Sequence, residues 1–502
     1  MSTVNRTVIR RKFYLDSVAL MRSSKTLAAL PDVVEAAMMM GTPANTEIMQ
    51  NAGLLLAEQI IEESISAGDL IISIRANNSD AAEAALLQAN VLLDSGSSAV
   101  DAQQWRPRSI RSAVAAKPET NLALISVPGE FAVSEARKAI RRGLHAMIFS
   151  DNVPLEQEVS LKQEATALNK LVMGPDCGTA IINGVPLAFA NKVPRGPIGI
   201  VGASGTGMQE VTCLLAQQGV GISQAIGVGG RDLKDAVGGL MSIMALKMLI
   251  NDDDTQHIVL ISKPASNVII DKLLTLLATT KKTATLCVLG GNNEKAIPDN
   301  CQWASTLQEA ATSAMQTLGL TSAVSASGNS GFSVKKHPGK LVRGLFCGGT
   351  LCAEAQVLLA HAGIASTSNV PLEGKPSLDP AAHTLIDLGD DEYTRGKPHP
   401  MIDPSSRDAP VLDALQDDRV GVLLVDMVIG YGAHADPAGQ FVNSLRQLES
   451  TETVIVASVT GTEDDPQCLS AQRATLIAAG VCVASSNAEA VSMALNVVSN
   501  DS

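Results

Sequence analysis

Two stretches decide the fold: IGIVGASGTGMQEVTCLLAQQG at 198–219 and GLFCGGTLCAEAQVLLAHAG at 344–363. Each passes from an apolar run of strand character through a glycine-rich turn containing Gly-Thr into an Ala/Leu-rich run of helical character. That is the opening of a parallel α/β unit. Their shared form is a weak internal repeat, as expected of duplicated flavodoxin-like modules, although two short matching turns also arise by chance in α/β proteins.

The pattern continues outward in both directions. Upstream, NLALISV, HAMIFSD and LVMGPD read as parallel strands separated by helices through Arg141 and from about Leu155. Downstream, strands are expected near 223–227, 257–262 and 285–289, then in VGVLLVDMVIG, TVIVASVTGT and GVCVASS. Residues 1–95 read as strand (Val8–Leu15), helix from Asp16 or Ser17, strand (Val33–Met40), a short helical piece, strand (Leu70–Arg75) and a helix capped by Ser79. This suggests a small ferredoxin-like module. Segments 94–120 and 321–333 have linker composition. The expected class is therefore multidomain α/β. A ferredoxin-like module (1–95) precedes a Rossmann-like domain (120–194) and two flavodoxin-like parallel-sheet domains (195–322 and 341–502).

Composition narrows the function classes. Of 502 residues 46% are hydrophobic but only 2% aromatic, so the cores are built from Ala, Val, Ile, Leu and Met. Residues 341–502 hold 8 Lys and Arg against 21 Asp and Glu, which accounts for the whole net charge of −13. The basic clusters Arg10-Arg11-Lys12, Lys281-Lys282 and Lys335-Lys336 are short, so a nucleic-acid partner is not expected. No apolar run approaches a membrane span and no signal peptide is visible, and the eight cysteines form no CxxC pair. A cytoplasmic protein with reduced thiols and no metal is expected.

Candidate chemistry gathers at the turns. Ser204, Gly205, Thr206 and Gly207 open a helix, and unpaired first-turn amides there suit phosphate or carboxylate; the alternative is a tight turn capped by Ser204. Gly348, Gly349 and Thr350 form the parallel case. If the two modules pack about a pseudo-two-fold axis, both helix ends address one anion. Arg231 and Lys263 end predicted strands, one offering a bidentate fork and the other a point charge. His399, in a polar run with Asp390, Asp391 and Asp403, is an acid/base or metal candidate, and His434 with Asp436 a weaker one. Cys177 is a nucleophile only if a spatial partner lowers its pKa, while Asp176 beside it suits a turn-organising role.

IGIVGASGTGMQE, AIGVGGRD, LVMGPDCGT, ISVPGEF and FSDNVP resemble the α subunit of succinyl-CoA synthetase and related acyl-CoA synthetases over about 121–290. MGTPAN, FSDNV, MGPDCGT, GASGTG, GGRDL, GGTLCAEA, DLGDDEYTRGKPHPMIDP and TGTEDDPQ resemble FdrA-type proteins along nearly the whole chain. That resemblance implies a role in purine or allantoin nitrogen catabolism, as a subunit of a carbamoyltransferase converting oxalurate and phosphate to oxamate and carbamoyl phosphate. It also implies a hetero-oligomer with companion subunits encoded nearby. Phosphate would then be a substrate at 204–207 and 348–350, with Arg231 holding a substrate carboxylate and His399 or Lys263 supplying a proton. The alternatives are a nucleoside-diphosphate-forming acyl-CoA ligase, which alone calls for CoA and nucleotide, and a non-catalytic scaffold or regulatory subunit. Two departures bear on the ligase. VLGGNNEKAIPDN lacks the histidine phosphorylated in the synthetases, and no glycine-rich CoA turn precedes residue 121.

Overall fold

The computed structural model describes residues 3–15, 17–98, 107–291, 295–320, 335–372, 376–394, 398–448 and 450–499. The chain divides into two compact units, one holding residues 1–118 and the other 119–393 with 399–502.

In the first unit, strands Val4–Arg10 and Val33–Met40 flank Leu70–Ala76, each antiparallel to it. Helix Ser17–Ala28 joins the outer two, giving the split βαβ arrangement of a ferredoxin-like module. Alternation along the central strand explains its two covers. Leu70 and Ile72 pack with Leu20, Leu27 and Leu93, while Ile71 packs on the other face with Met49, Leu54 and Leu55. The first strand ends before 11–15, where sequence periodicity continues it. The backbone turns at Lys12, whose amide donates to the Asp69 carboxylate at 3.0 Å. Asn78 rather than Ser79 caps the helix Ser79–Ser98, through Ala81 N at 2.8 Å. That helix reaches into the linker-like 94–120 segment, which also holds helix Ile110–Ala116 with a Ser109/Ser112 capping box. The second linker-like segment, 321–333, lies outside the described residues, as does Asp16.

The second unit carries three sheets. A small parallel sheet comprises Leu122–Ile125, His145–Ile148 and Val172–Met173. A seven-stranded sheet runs in the order Cys301–Trp303, Thr283–Val288, His257–Ser262, Arg195–Gly202, Ile222–Gly227, Thr179–Ile182, Val185–Ala188. A six-stranded parallel sheet runs Ser366–Ser368, His383–Asp387, Leu341–Phe346, Val420–Val428, Val454–Thr460, Cys482–Ala484. All nine residues of Val420–Val428 are buried, as a parallel strand covered on both faces requires. The hairpin 179–188 falls within the 120–194 segment by sequence, yet it extends the seven-stranded sheet because Ile181 pairs with Ala225.

In both larger sheets the helix after the central strand packs against its counterpart. Gly205–Gln217 lies against Gly349–His361, and a single apolar core runs through both modules. The modules also exchange caps. Glu210, the sixth residue of helix Gly205–Gln217, accepts the amide of Asn487 at 3.0 Å, the first residue of the other module's last helix. Glu354 reciprocally accepts the amide of Leu307 at 2.6 Å, which opens helix Leu307–Thr317 of the first module. Each carboxyl thus satisfies an orphan helix amide across the interface, the pseudo-two-fold relation that the repeat suggests. The shared spacing is Gly-Thr-x-x-x-Glu, at 205–210 and 349–354.

Burial pushes the Glu354 carboxyl up to about 7, opposed by the hydrogen bond from Asn487. With its folded value above the unfolded one, its stabilising contribution is present below about pH 4.5 and lost as pH rises through about 7. Glu354→Gln, neutral throughout, is expected to gain in urea midpoint relative to the wild type across that window and to hold a constant difference above it. An unchanged difference from pH 4 to 8 would refute this account.

Candidate functional site

Open α/β sheets place ligands where the chain reverses direction beyond the strand carboxyl ends. Here those ends supply nearly every polar group of interest. Strand Arg195–Gly202 delivers Ser204, which caps helix Gly205–Gln217 by accepting the Gly207 amide at 3.0 Å. Its Oγ also lies 2.5 Å from Thr350 Oγ1, so the two helix N-termini meet hydroxyl to hydroxyl. A methyl at Gly207 would stand 2.5 Å from Ser204 Oγ and 3.0 Å from Thr350 Cγ2, so only glycine permits that approach.

The two turns are not equivalent. The first helical amides have no acceptor among the described residues at either turn, Gly205 and Thr206 at the first and Gly349 and Thr350 at the second, but Thr206 reaches solvent while Thr350 is buried. At the second, the buried Asp426 carboxylate accepts from Cys347 N at 2.7 Å and Gly348 N at 2.8 Å. The Gly348 amide is therefore not available to an external anion, which corrects that part of the cradle read from the sequence. Arg407 backs Asp426, with Nη1 2.7 Å from its carbonyl and 3.3 Å from Oδ1.

Around these ends stand Lys263, Asp387, His399 and Asp176. Lys263, exposed just past strand His257–Ser262, has no ion pair among the described residues, and its Nζ lies 3.3 Å from where a methyl on Gly349 would sit. The same methyl would collide with the Asp387 carboxylate. Asp387 is buried and its carboxyl is pushed up to about 6 by desolvation, against the pull of Lys263. Asp176, which is exposed, is also pushed up to about 6, first by desolvation from the atoms around it and then by Asp151 and Asp391.

His399 follows Asp387 around the same turn, its Nε2 2.5 Å from where a Gly389 methyl would lie. Its Nδ1 accepts the Met401 amide at 3.2 Å, so the neutral ring carries its proton on Nε2. Burial, then Arg407, lowers its pKa to about 4. At neutral pH it is an uncharged N–H donor rather than an imidazolium acid.

Arg231 is partly committed. Its Nε pairs with Glu158 Oε2 at 2.8 Å and its Nη2 donates to Val153 O at 2.9 Å. Beneath it the buried Lys162 ammonium bridges Glu158 and Asp232 at 2.8 and 2.9 Å, tying the Gly229–Asp232 turn to helix Leu155–Ala167. Cys177 is no nucleophile, because burial pushes its thiol up to about 12. Asp436 caps helix Pro437–Leu445 and His434 Nδ1 accepts the Asp436 amide, so that pair is structural. Asp403 caps the short turn Pro404–Arg407. Among the described residues no group of three His, Cys, Asp or Glu is placed to hold a metal ion. The sequence places Asp387 at the head of the polar run around His399 without singling it out, and Asp426 was missed; the signal for both is an acidic residue at or near the carboxyl end of an apolar strand.

Comparison with known proteins places this geometry in a family. The uncharacterized protein YahF of Escherichia coli strain K12 is 39% identical over 96% of both chains. The chain belongs to the YahF family. The family model described as CoA-ligase matches residues 345–497, and the one described as AllF, heavy metal-associated domain, matches 1–107. The α1 subunit of the ADP-forming succinate–CoA ligase of Archaeoglobus fulgidus is 29% identical over 30% of this chain and 51% of its own, so the chain spans about half of that relative. Among solved structures, the dinucleotide-forming acetyl-coenzyme A synthetase 1 of Ca. Korarchaeum cryptofilum, in complex with phosphate and ADP, aligns with 79% of this chain and 86% of its own, at 14% identity and a TM-score of 0.31. The chain thus combines a heavy-metal-associated-type module with an α/β part whose residues 345–497 are of CoA-ligase type. No helix among the described residues is long and apolar enough to cross a membrane.

Removing Asp426 leaves Arg407 buried without its counter-charge and two turn amides without their acceptor. Asp426→Ala is expected to destabilise the fold by about 3–5 kcal/mol, measured by urea unfolding. A loss below about 1 kcal/mol would show that the pair does not hold the second turn.

Proposed function

We propose that the chain is the anion-binding subunit of a phosphate-dependent acyl-transfer enzyme. Phosphate, held at the open end of helix Gly205–Gln217, attacks a substrate carbonyl to form an acyl phosphate. The observation that carries this reading is the pair of acceptor-free amides at Gly205 and Thr206, set beside Thr350 and the Gly349–Lys263 corner. His399 Nε2–H is a neutral donor for the carbonyl oxygen as it gains charge. With Nδ1 engaged by Met401 and Nε2 protonated, the ring is not set up to carry a phosphoryl group, which supports direct attack. The free edge of Arg231 addresses a substrate carboxylate.

The carbamoyl form of this chemistry turns oxalurate and phosphate into oxamate and carbamoyl phosphate, working with companion subunits in the cytoplasm. It is favoured by the FdrA resemblance and by the AllF-type N-terminal match. The second reading, an acyl-CoA ligase, is favoured by the CoA-ligase match and the succinate–CoA ligase relatives, and it passes through the same acyl phosphate. The small parallel sheet fits CoA poorly. Its first turn is Val127-Pro128-Gly129, where a methyl on Gly129 would collide with the Asp151 carbonyl, and Glu130 in the first helical turn opposes a bound pyrophosphate.

The test is the enzyme purified with its companion subunits, supplied with phosphate and either oxalurate or succinyl-CoA, with products trapped by hydroxylamine. Hydroxyurea from oxalurate is expected. Succinyl hydroxamate alone would replace the carbamoyl reading with the ligase, and no product from either would overturn both. Ser204→Ala combined with Gly205→Val is expected to abolish turnover; unchanged turnover would make the chain a scaffold. Lys263→Met is expected to weaken phosphate binding about 10- to 100-fold, the worth of one charge-assisted hydrogen bond, read by calorimetry.

A further inference from the structure

Asp387 is held at three of its four polar atoms. The Asn369 side chain brackets its backbone like a neighbouring strand, with Nδ2 donating to Asp387 O and Oδ1 accepting from Asp387 N, both at 2.9 Å. Its Oδ1 accepts the Gly389 amide at 2.9 Å. Three of its four polar groups are thus pinned. Oδ2 alone has no hydrogen-bond partner among the described residues, although the residue is only 5% exposed. It overhangs the Gly349 Cα, at the corner shared with Lys263 Nζ, while His399 Nε2 lies across Gly389. That oxygen is not sealed from solvent, so a ligand entering this polar corner can reach it.

Resting on the phosphate-dependent transfer proposed above, we infer that Asp387 Oδ2 is the proton shuttle of that reaction, moving one proton from the attacking phosphate to the departing atom of the substrate. The step balances without a further reagent. Phosphate enters as its hydrogen-phosphate dianion. The oxygen–carbon bond to the carbonyl forms as that oxygen's proton passes to Oδ2. The bond from the carbonyl carbon to its nitrogen, or to sulfur in a thioester, then breaks, and the leaving atom takes the same proton. Asp387 is unchanged at the end.

Geometry assigns this role to Asp387 over the sequence-derived candidates. Lys263 is an exposed cation whose charge serves the anion better. His399 has its acceptor nitrogen occupied and, uncharged, has only one proton to offer. A carboxyl that burial holds about midway between its ordinary range and neutrality can both take and release a proton near pH 7, which supports the geometric argument.

The experiment pairs inorganic-phosphate binding, by phosphorus-31 line broadening, with phosphate-dependent turnover of the assembled enzyme. Asp387→Asn keeps an acceptor for Gly389 and removes a negative charge, so phosphate binding is expected at wild-type affinity or tighter while turnover falls 100-fold or more. Asp387→Ala is expected to recover turnover in proportion to added formate, which replaces the missing carboxylate and would not repair a merely architectural loss. Wild-type turnover in Asp387→Asn, lost phosphate binding in that variant, or no rescue of Asp387→Ala by formate overturns the inference. Failure of the wild-type enzyme to bind phosphate overturns the underlying function instead.

Discussion

The structure depends on two helix N-termini brought to hydroxyl contact, Ser204 Oγ on Thr350 Oγ1 at 2.5 Å. Each end carries roughly half a positive charge, and like ends repel. Packing of Gly205–Gln217 against Gly349–His361 forces them together, because the apolar core spans both modules and the exchanged Glu210 and Glu354 caps lock the register. The repulsion must be met by negative charge. The protein sets two carboxyl groups at the second turn, Asp426 on the Cys347 and Gly348 amides and Asp387 over Gly349. On the proposed function, an incoming anion adds further negative charge where the two ends meet.

The asymmetry traces to one residue pair. Ser204 has a hydroxyl with which to cap its own helix. Its counterpart Gly348 has no side chain and its helix has no side-chain cap; Asp426 instead accepts the Cys347 and Gly348 amides that precede the helix, and Arg407 comes with it to balance the charge. The two turns thus differ in the amides that precede the helices, whereas the first helical amides, Gly205 and Thr206 in one and Gly349 and Thr350 in the other, have no acceptor among the described residues in either. The pseudo-symmetric frame persists in the paired buried glutamates, where geometry leaves no freedom.

The fold was legible because buried parallel strands read as continuous apolar runs and glycine-rich turns mark their carboxyl ends, as at 198–207 and 420–430. The turns at 204–207 and 348–350 and the side chains Lys263 and His399 were also legible as polar groups following strands. Asp387 was legible only as the head of the polar run around His399, and Asp426 not at all. Each stands among dozens of acidic residues in the sequence, and only the sheet order places Asp387 beside Gly349 and Asp426 beneath Gly348. Nor could spacing show that His399 is neutral, since its ionisation follows from burial and from an amide two residues on. The module boundary near 194 escaped for the same reason, because the hairpin 179–188 is claimed by a strand 40 residues away in sequence.

The charge distribution constrains how such a site works. Residues 341–502 contribute the entire net charge of −13, yet they provide one of the two helix ends and Asp387. Long-range attraction therefore cannot gather anions to the cleft. Beyond about 10 Å at ordinary salt, what little field remains is screened. On the proposed function, recognition comes from groups that act only on contact, namely the Gly205 and Thr206 amides, Lys263 and the His399 N–H. Contact-range donors weigh shape and hydrogen-bond valence above total charge, so that reading makes specificity rather than capture rate the property that the arrangement secures.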